Sequence, residues 1–222
     1  MELGTLSPAL ILTLVVGLAL APYFAVMVTA FTKLVVVFSL LRNALGLQQT
    51  PPNMVLNGLA IILSVYVMYP VGLEMSAAAQ PIIAQQPKDG GPIPVSQLLA
   101  AAGEAKEPLR HFLIKHTSAE EREFFLSTSR QLLPPQKRNL VAADDLIVVV
   151  PAFTVSELAR AFQIGFILFL PFLVIDLVVA NVLQALGMMM LSPTTISLPF
   201  KLLLFVVLGG WSKLIHGLVL TY

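Results

Sequence analysis

Residues 164–191 read IGFILFLPFLVIDLVVANVLQALGMMML, an apolar run with one charged residue, Asp176. A helix of about thirty residues is about 45 Å long, whereas the hydrocarbon core of a bilayer is about 30 Å thick. The run is therefore long enough to cross a membrane and too long for that task alone. Something other than the thickness of the membrane must therefore set its length.

Three further tracts share this apolar character: residues 3–41, 54–79 and 198–222. Each reaches the roughly 20 residues that cross a bilayer, and the first, interrupted by Lys33, is also too long. The tracts contain internal prolines: Pro22, Pro70 and Pro171. Because a proline removes a helix hydrogen bond and bends the chain, we predict an all-α membrane protein of about four long, kinked helices arranged as hairpins.

Composition supports a membrane protein and excludes several other classes. Hydrophobic residues make up 57% of the chain and charged residues 11%, where a soluble domain has roughly 25% charged residues. The net charge of +1 is too small to produce an electrostatic field that would attract nucleic acid. The absence of cysteine excludes disulfides. No basic stretch precedes the first tract, so we expect a retained helix there rather than a cleaved signal peptide.

The charges concentrate in the middle of the chain, with eight basic and eight acidic residues between Lys88 and Asp145. We therefore divide the chain into an N-terminal apolar hairpin (1–84), a polar and mostly helical region (85–150) and a C-terminal apolar hairpin (151–222). The Gly/Pro-rich residues 85–94 predict a linker into the polar region.

One helix of the polar region has a clear start signal. Ser118 and Glu121 have the spacing of a capping box, which predicts a helix that begins beside Ser118. We expect its apolar side to comprise Phe124, Phe125, Leu132 and Leu133.

Basic residues in the short connections predict the topology. Lys33 and Arg42 flank the first connection and Lys201 borders the last, which places both on the cytoplasmic side. With four crossings, both termini and the polar region then lie outside the cytoplasm.

Six charged residues lie in or beside the apolar tracts: Glu74, Glu157, Arg160, Asp176, Lys201 and Lys213. An unpaired charge near a bilayer centre costs about 2.5–3.5 kcal/mol or more, so such residues are expected to be paired or functional. Glu157 has two interpretations, because Thr154 and Glu157 have capping-box spacing and would open the third long helix, with Arg160 as its i+3 neighbour.

Asp176 has no such local explanation and requires a cation. We predict that Lys201 forms a buried pair with Asp176 or Glu157, within one chain or between adjacent chains, and that these residues support assembly. The alternative for Lys201 is a lysine at a helix end that reaches the membrane interface.

No enzymatic motif accompanies these charges. His111 and His116 are five residues apart, His216 stands alone, and no HExxH, Walker or GxSxG pattern exists. We predict no catalytic site, no cofactor and no metal. Gly209, Gly210 and Trp211 predict close helix packing beside an interfacial tryptophan.

Several runs resemble the FliP family of type III secretion export-apparatus proteins, whose injectisome members are called R proteins. The runs are FSLLRNALG (38–46), QTPPN (49–53), PAFTVSEL (151–158), AFQIGF (161–166), LGMMM (186–190) and TISLPFK (195–201). These runs lie in both apolar regions, and no run in the polar region adds to the resemblance. Gly209 departs from the family, which often has an acidic residue before the Gly-Trp pair, and the missing signal favours an injectisome protein.

The resemblance implies five copies in a helical ring, built with small S and T subunits (FliQ-like and FliR-like). Such a ring would form the entry gate for secreted, unfolded polypeptides in the bacterial inner membrane, with the polar region on the periplasmic side. It also implies that the assembled helices rise out of the membrane plane.

The methionines Met188, Met189 and Met190 are predicted to lie in a connection. The preceding helix should end at Gly187, and the next should begin near Ser197 with Pro199 in its first turn. Methionine repacks around irregular partners, so we hypothesise a flexible gasket around the export path. The alternative is a loop buried against its neighbours.

Two other functions remain open on the sequence. A small solute permease or ion channel also combines apolar tracts, broken helices and buried charges, although the two halves of this chain show no repeat. A purely structural scaffold subunit fits the composition as well.

Overall fold

The computed structural model describes residues 8–84, 94–188 and 190–222. These residues form eight α-helices and one 3-10 helix, without any strand among them. The α-helices are α1 (Pro8–Met27), α2 (Phe31–Ala44), α3 (Asn53–Ile83), α4 (Val95–Lys115), α5 (Ala119–Leu132), α6 (Leu146–Ala185), α7 (Pro193–Val207) and α8 (Gly210–Val219), and the 3-10 helix is Pro135–Leu140. The predicted all-helical fold is confirmed.

The 40-residue helix α6 is the element on which the others pack. Helices α2, α4, α5 and α7 all contact it, and α3 packs on α2 and α4. The buried residues of α2 recur every three or four positions: Lys33, Leu34, Val37, Phe38, Leu41 and Ala44. The two helices approach closely because Gly165 of α6 leaves room for the Leu40 side chain.

Among the described residues, between two and four elements are long and apolar enough to cross a membrane. Helices α3 and α6 qualify alone, and the pairs α1–α2 and α7–α8 qualify only if each bent pair is one span. Within the apolar windows of α3 and α6, only 17% and 11% of the residues are buried by this chain. The chain is therefore a membrane protein whose apolar surface requires lipid or other subunits as cover.

The sharp breaks between helices do not lie at the prolines that were expected to bend the chain. Helices α1, α3 and α6 continue through Pro22, Pro70 and Pro171. The axes instead bend by 61° between α1 and α2, and by 60° between α7 and α8. Gly209 has a φ of 62° at the second break, a left-handed conformation that glycine adopts without steric cost.

The polar region is helical and only partly covered. Ser118 caps α5 by accepting a hydrogen bond from the Glu121 amide, as predicted. The expected apolar side of α5 is not buried, because Phe124 is 57% and Leu132 81% exposed. The predicted linker falls largely on residues 85–93, outside the described residues, and the three-part division of the chain stays a prediction.

Candidate functional site

Asp176 and Lys201 form an ion pair within one chain, between α6 and α7. The Lys201 ammonium lies 2.6 Å from the Asp176 carboxylate and 3.2 Å from the carbonyl of Ala44. Ser197 donates a hydrogen bond to the other carboxylate oxygen of Asp176. Lys201 is 3% exposed, so the interpretation of a lysine that reaches the membrane interface is wrong.

The Ala44 carbonyl lies at the C-terminal end of α2, and this position explains why a cation is stable there. The last carbonyls of a helix lack partners within the helix and carry partial negative charge. Lys201 therefore neutralises Asp176 and satisfies the end of α2 with the same ammonium group. The contact ties the two apolar halves of the sequence together.

Glu157 does not pair with Lys201; it forms a separate site. Its carboxylate lies 3.2 Å from the Lys33 ammonium and 3.2 Å from Arg160, and it accepts a hydrogen bond from the Tyr222 hydroxyl. Lys33 is 1% exposed and Glu157 is fully buried. We refer to Lys33, Glu157, Arg160 and Tyr222 as the Glu157 cluster.

The capping-box interpretation of Thr154 and Glu157 is wrong. Helix α6 begins at Leu146, after Asp145, and runs through Pro151, so both residues lie inside it. The Thr154 hydroxyl lies within hydrogen-bond distance of the carbonyls of Val150 and Met27 and shares its one hydrogen between them. Thr154 thus contacts the end of α1 instead of starting a helix.

Sequence reasoning missed Lys33 as the partner of Glu157. Lys33 was assigned to the first connection, whereas the bend between α1 and α2 places it on the buried face of α2. Its ammonium also lies 3.5 Å from the centre of the Tyr222 ring, a cation–π contact. The available signal was that Lys33 is a charge inside an apolar tract, the criterion already applied to Asp176.

The Glu157 cluster lies where the polar region meets the apolar helices. Arg160 donates to the His116 carbonyl at 2.9 Å, and the Ser118 amide donates to the Ser156 hydroxyl at 3.0 Å. The His116 ring packs against Phe112 and Tyr222. These contacts join the end of α4 and the start of α5 to α6, beside the buried carboxylate.

His116, in the polar region, is expected to make stability depend on pH. Burial, together with the nearby Lys115, lowers the pKa of His116 below its usual value. As the pH falls through about 6.5, the unfolded chain takes up a proton that the folded chain does not, so the free energy of unfolding decreases. Thermal unfolding in detergent from pH 7.5 to 5.5 should show this decrease.

The matched control for this pH effect is His111, an exposed histidine of α4. His116→Gln should remove most of the pH dependence, and His111→Gln should leave it unchanged. An unchanged pH dependence in His116→Gln would show that other groups cause it.

The methionine connection begins where predicted and ends earlier than predicted. Gly187 has a φ of 71° just after α6, which confirms the predicted helix end. Helix α7 begins at Pro193 rather than near Ser197, because Pro193 takes the first helical position, where a proline is favoured. Pro199 consequently lies inside α7.

The methionine side chains of the connection are exposed where they are described. Met188 is 48% exposed and Met190 fully exposed, whereas Met189 lies outside the described residues. In a single chain, neither Met188 nor Met190 is buried against its neighbours. The loop can therefore contact another chain or a lumen.

The described residues contain no group of three metal-ligating side chains. The buried charged residues Lys33, Glu157 and Lys201 are instead paired in the two ion-pair sites, which supply structural contacts between helices. We find no constellation of nucleophile, base and oxyanion donors in the described residues.

Similar proteins come from several bacteria. The chain is 52% identical over 214 residues to the hypersensitivity response secretion protein HrcR of Ralstonia nicotianae, covering 96% of this chain and 97% of that protein. It is 53% identical over 205 residues to the Yop proteins translocation protein R of Yersinia pestis, covering 92% of each. The flagellar biosynthetic protein FliP of Caulobacter vibrioides is 45% identical over 207 residues, covering 92% of this chain and 73% of that protein.

The FliP family profile matches residues 14–218, which include the Lys33–Glu157 and Asp176–Lys201 ion pairs and the methionine connection. With this match and relatives more than 40% identical over most of their length, the chain belongs to the FliP family.

Proposed function

We propose that this chain is a core subunit of a type III secretion export gate, a channel for unfolded polypeptides in the bacterial inner membrane. The gate contains several copies of the chain, five by family resemblance, with S and T partner subunits. The observation that carries this proposal is family membership along nearly the whole chain, with relatives named for secretion and translocation.

The exposed apolar surface supports an assembly of several chains. Helix α6 has 40 residues and is about 60 Å long, twice the thickness of a hydrocarbon core. Lipid can cover about half of such a helix, and its own chain buries little of it. Other subunits would cover the rest of the apolar surface of α6.

We place the polar region, residues 85–150, on the periplasmic side. The support is that Arg42 and Lys201 lie at the end of α2 away from the polar region, since Lys201 contacts the Ala44 carbonyl. Lys33 lies at the other end of α2, in the Glu157 cluster, and does not bear on the orientation. In this orientation the exposed methionine connection, at the other end of α6 from the polar region, faces the cytoplasm, from which a secreted polypeptide enters.

We propose that the two ion-pair sites hold each subunit in the shape that the ring requires. Both join segments distant in sequence: Lys201 contacts Ala44, and Glu157 contacts Lys33 and Tyr222. Because such charges are costly to bury alone, the bent helices are expected to lose their relative positions when one partner is removed.

We propose that Met188, Met189 and Met190 form a gasket that closes the gate at rest. The side chains of Met188 and Met190 project from a single chain with little cover, and unbranched thioethers repack around a passing polypeptide. Replacing all three with alanine should leave the complex assembled and make the membrane leak ions. Ion flux through complexes in vesicles measures this, with Leu191→Ala as the control.

If the triple variant assembles and its vesicles leak ions no faster than wild-type vesicles, the gasket proposal is wrong. Loss of the complex itself would mean that the methionines hold subunits together. The two outcomes are separated by measuring the mass of the complex on the same sample.

The native mass of the detergent-extracted complex tests the proposed function. A large complex with several copies of this chain and unlike membrane subunits supports an export gate. A stable monomer or dimer active in solute flux would instead support a permease.

A further inference from the structure

His116 lies at the joint between the two α-helices of the polar region. Helix α4 ends at Lys115 and α5 begins at Ala119, so His116 is the first residue after α4. Its ring packs against Phe112 and Tyr222, with centroid distances of 4.7 Å and 5.2 Å. His116 is 6% exposed, and no described residue forms a hydrogen bond with its ring. The imidazole is therefore held in place by ring packing.

The surroundings of this ring oppose a positive charge on it. The titratable groups near it are Lys115 of α4, Lys33 of α2, Glu157 and Arg160 of α6, and Tyr222 after α8. Burial lowers the pKa of His116 most, the three cations lower it further, and Glu157 raises it. Protonation would thus add a charge where cations already outnumber carboxylates.

The solution next to the polar region has access to this site. His116 lines a cleft of about 780 Å³ between α3, α4 and the end of α8. Glu74 and His111 line the same cleft and are exposed. The pH of the solution can therefore act on His116 without separation of the apolar helices.

Helix α5 depends on the joint for its position. None of its residues is buried, although α5 packs along α6. At the joint, Arg160 donates to the His116 carbonyl, and the Ser118 amide donates to the Ser156 hydroxyl of α6. Segments with few buried contacts open locally at a lower free energy than the whole fold. Loss of the joint contacts should therefore free α5 before the apolar helices separate.

We propose that His116 is a pH-sensitive latch, whose protonation releases the joint and α5 from α6 while the apolar helices stay packed. The imidazolium gains water in the open state, and the hydrogen bonds at Ser156 and Arg160 are lost. The opening is confined to one joint and differs from unfolding of the whole chain. In the proposed orientation the latch faces the periplasm, so acid on that side loosens the subunit; only this last step rests on the proposed function.

Thiol labelling of the detergent-extracted protein tests the latch, because the chain has no cysteine of its own. Ser156→Cys places a thiol at a position that is 3% exposed, where a maleimide reaches it only when the joint opens. Ser127→Cys, at an exposed position of α5, gives the intrinsic labelling rate at each pH. The ratio of the two rates should rise several-fold from pH 7.5 to 5.5. About tenfold is the upper limit, because pH 5.5 lies one unit below the usual histidine pKa of about 6.5.

Three further variants separate the latch from other effects of pH. Adding His116→Gln should make the ratio independent of pH, whatever its level, and adding His111→Gln should leave the rise intact. Ser64→Cys, at a position of α3 that is 6% exposed, should stay protected at both pH values. A flat ratio, a rise that persists with His116→Gln, or an equal rise at Ser64→Cys would overturn the latch.

A second measurement applies if Ser156→Cys does not fold. Spin labels at the exposed positions Ser127 of α5 and Ile167 of α6 should move apart at pH 5.5, and should not do so with His116→Gln. An unchanged distance would equally overturn the latch. Neither readout depends on secretion, so the native mass still reports separately whether an export complex forms.

Discussion

Glu157→Ala is expected to lower the free energy of unfolding by about 3–5 kcal/mol, the usual cost of breaking a buried ion pair. The substitution leaves the Lys33 ammonium 1% exposed, with the ring of Tyr222 as its remaining described neighbour. Domains commonly have only about 5–15 kcal/mol of stability, so much of the folded chain should be lost. The amount of chain in membranes and the melting temperature in detergent measure this effect.

Two variants separate the charge from the fold. Glu123→Ala removes an exposed carboxylate of α5 and should leave both measurements unchanged. Lys33→Met combined with Glu157→Leu replaces both charges with apolar groups and should recover much of the stability, because no buried charge is then left alone. If Glu157→Ala is as stable as wild type, the Glu157 cluster does not hold the polar region on the apolar helices.

Asp176→Ala should destabilise the chain more than Lys201→Ala. Without Asp176, the Lys201 ammonium stays buried, with the Ala44 carbonyl as its remaining partner. Without Lys201, the Asp176 carboxylate is still 23% exposed and accepts the Ser197 hydrogen bond. We expect Asp176→Ala to lower the free energy of unfolding by about 3–5 kcal/mol and Lys201→Ala to lower it by less. Both variants should then secrete less.

A double-mutant cycle with Asp176→Ala and Lys201→Ala measures the coupling between the two side chains. The double variant should be more stable than Asp176→Ala alone. Lys137→Ala, on the 3-10 helix, serves as the control for loss of an exposed lysine. Equal and small losses in both single variants would show that the pair contributes nothing to the subunit.

The requirement of a buried charge for a partner was enough to predict an ion pair at Asp176. Lys201 lies in the next apolar tract, so few cations were available. The same reasoning failed for Glu157, because its partner Lys33 lies more than a hundred residues away and was assigned to a connection. Local spacing favoured a capping box at Thr154, but the contacts of α6 with α2 and α5 extend the helix past that point.

The prolines did not mark the two sharp breaks between helices. Pro171 lies within the continuous helix α6, whereas one sharp break occurs at Gly209, where φ is positive. A glycine in the left-handed conformation ends a helix more reliably than an internal proline, and Gly187 did so as predicted. The exposure of the apolar side of α5 could not be predicted, since periodicity shows which residues share a face and not whether another element packs on it.

The central claim is that a secreted polypeptide passes this chain at the methionine connection. A photoreactive residue at position 190, in cells that hold a secreted protein stalled in transit by a folded fusion, tests it most directly. We predict a cross-link to the stalled polypeptide at position 190 and none at Leu140, which is also exposed but lies in the polar region. Normal stalling with no cross-link from position 190 would contradict the account.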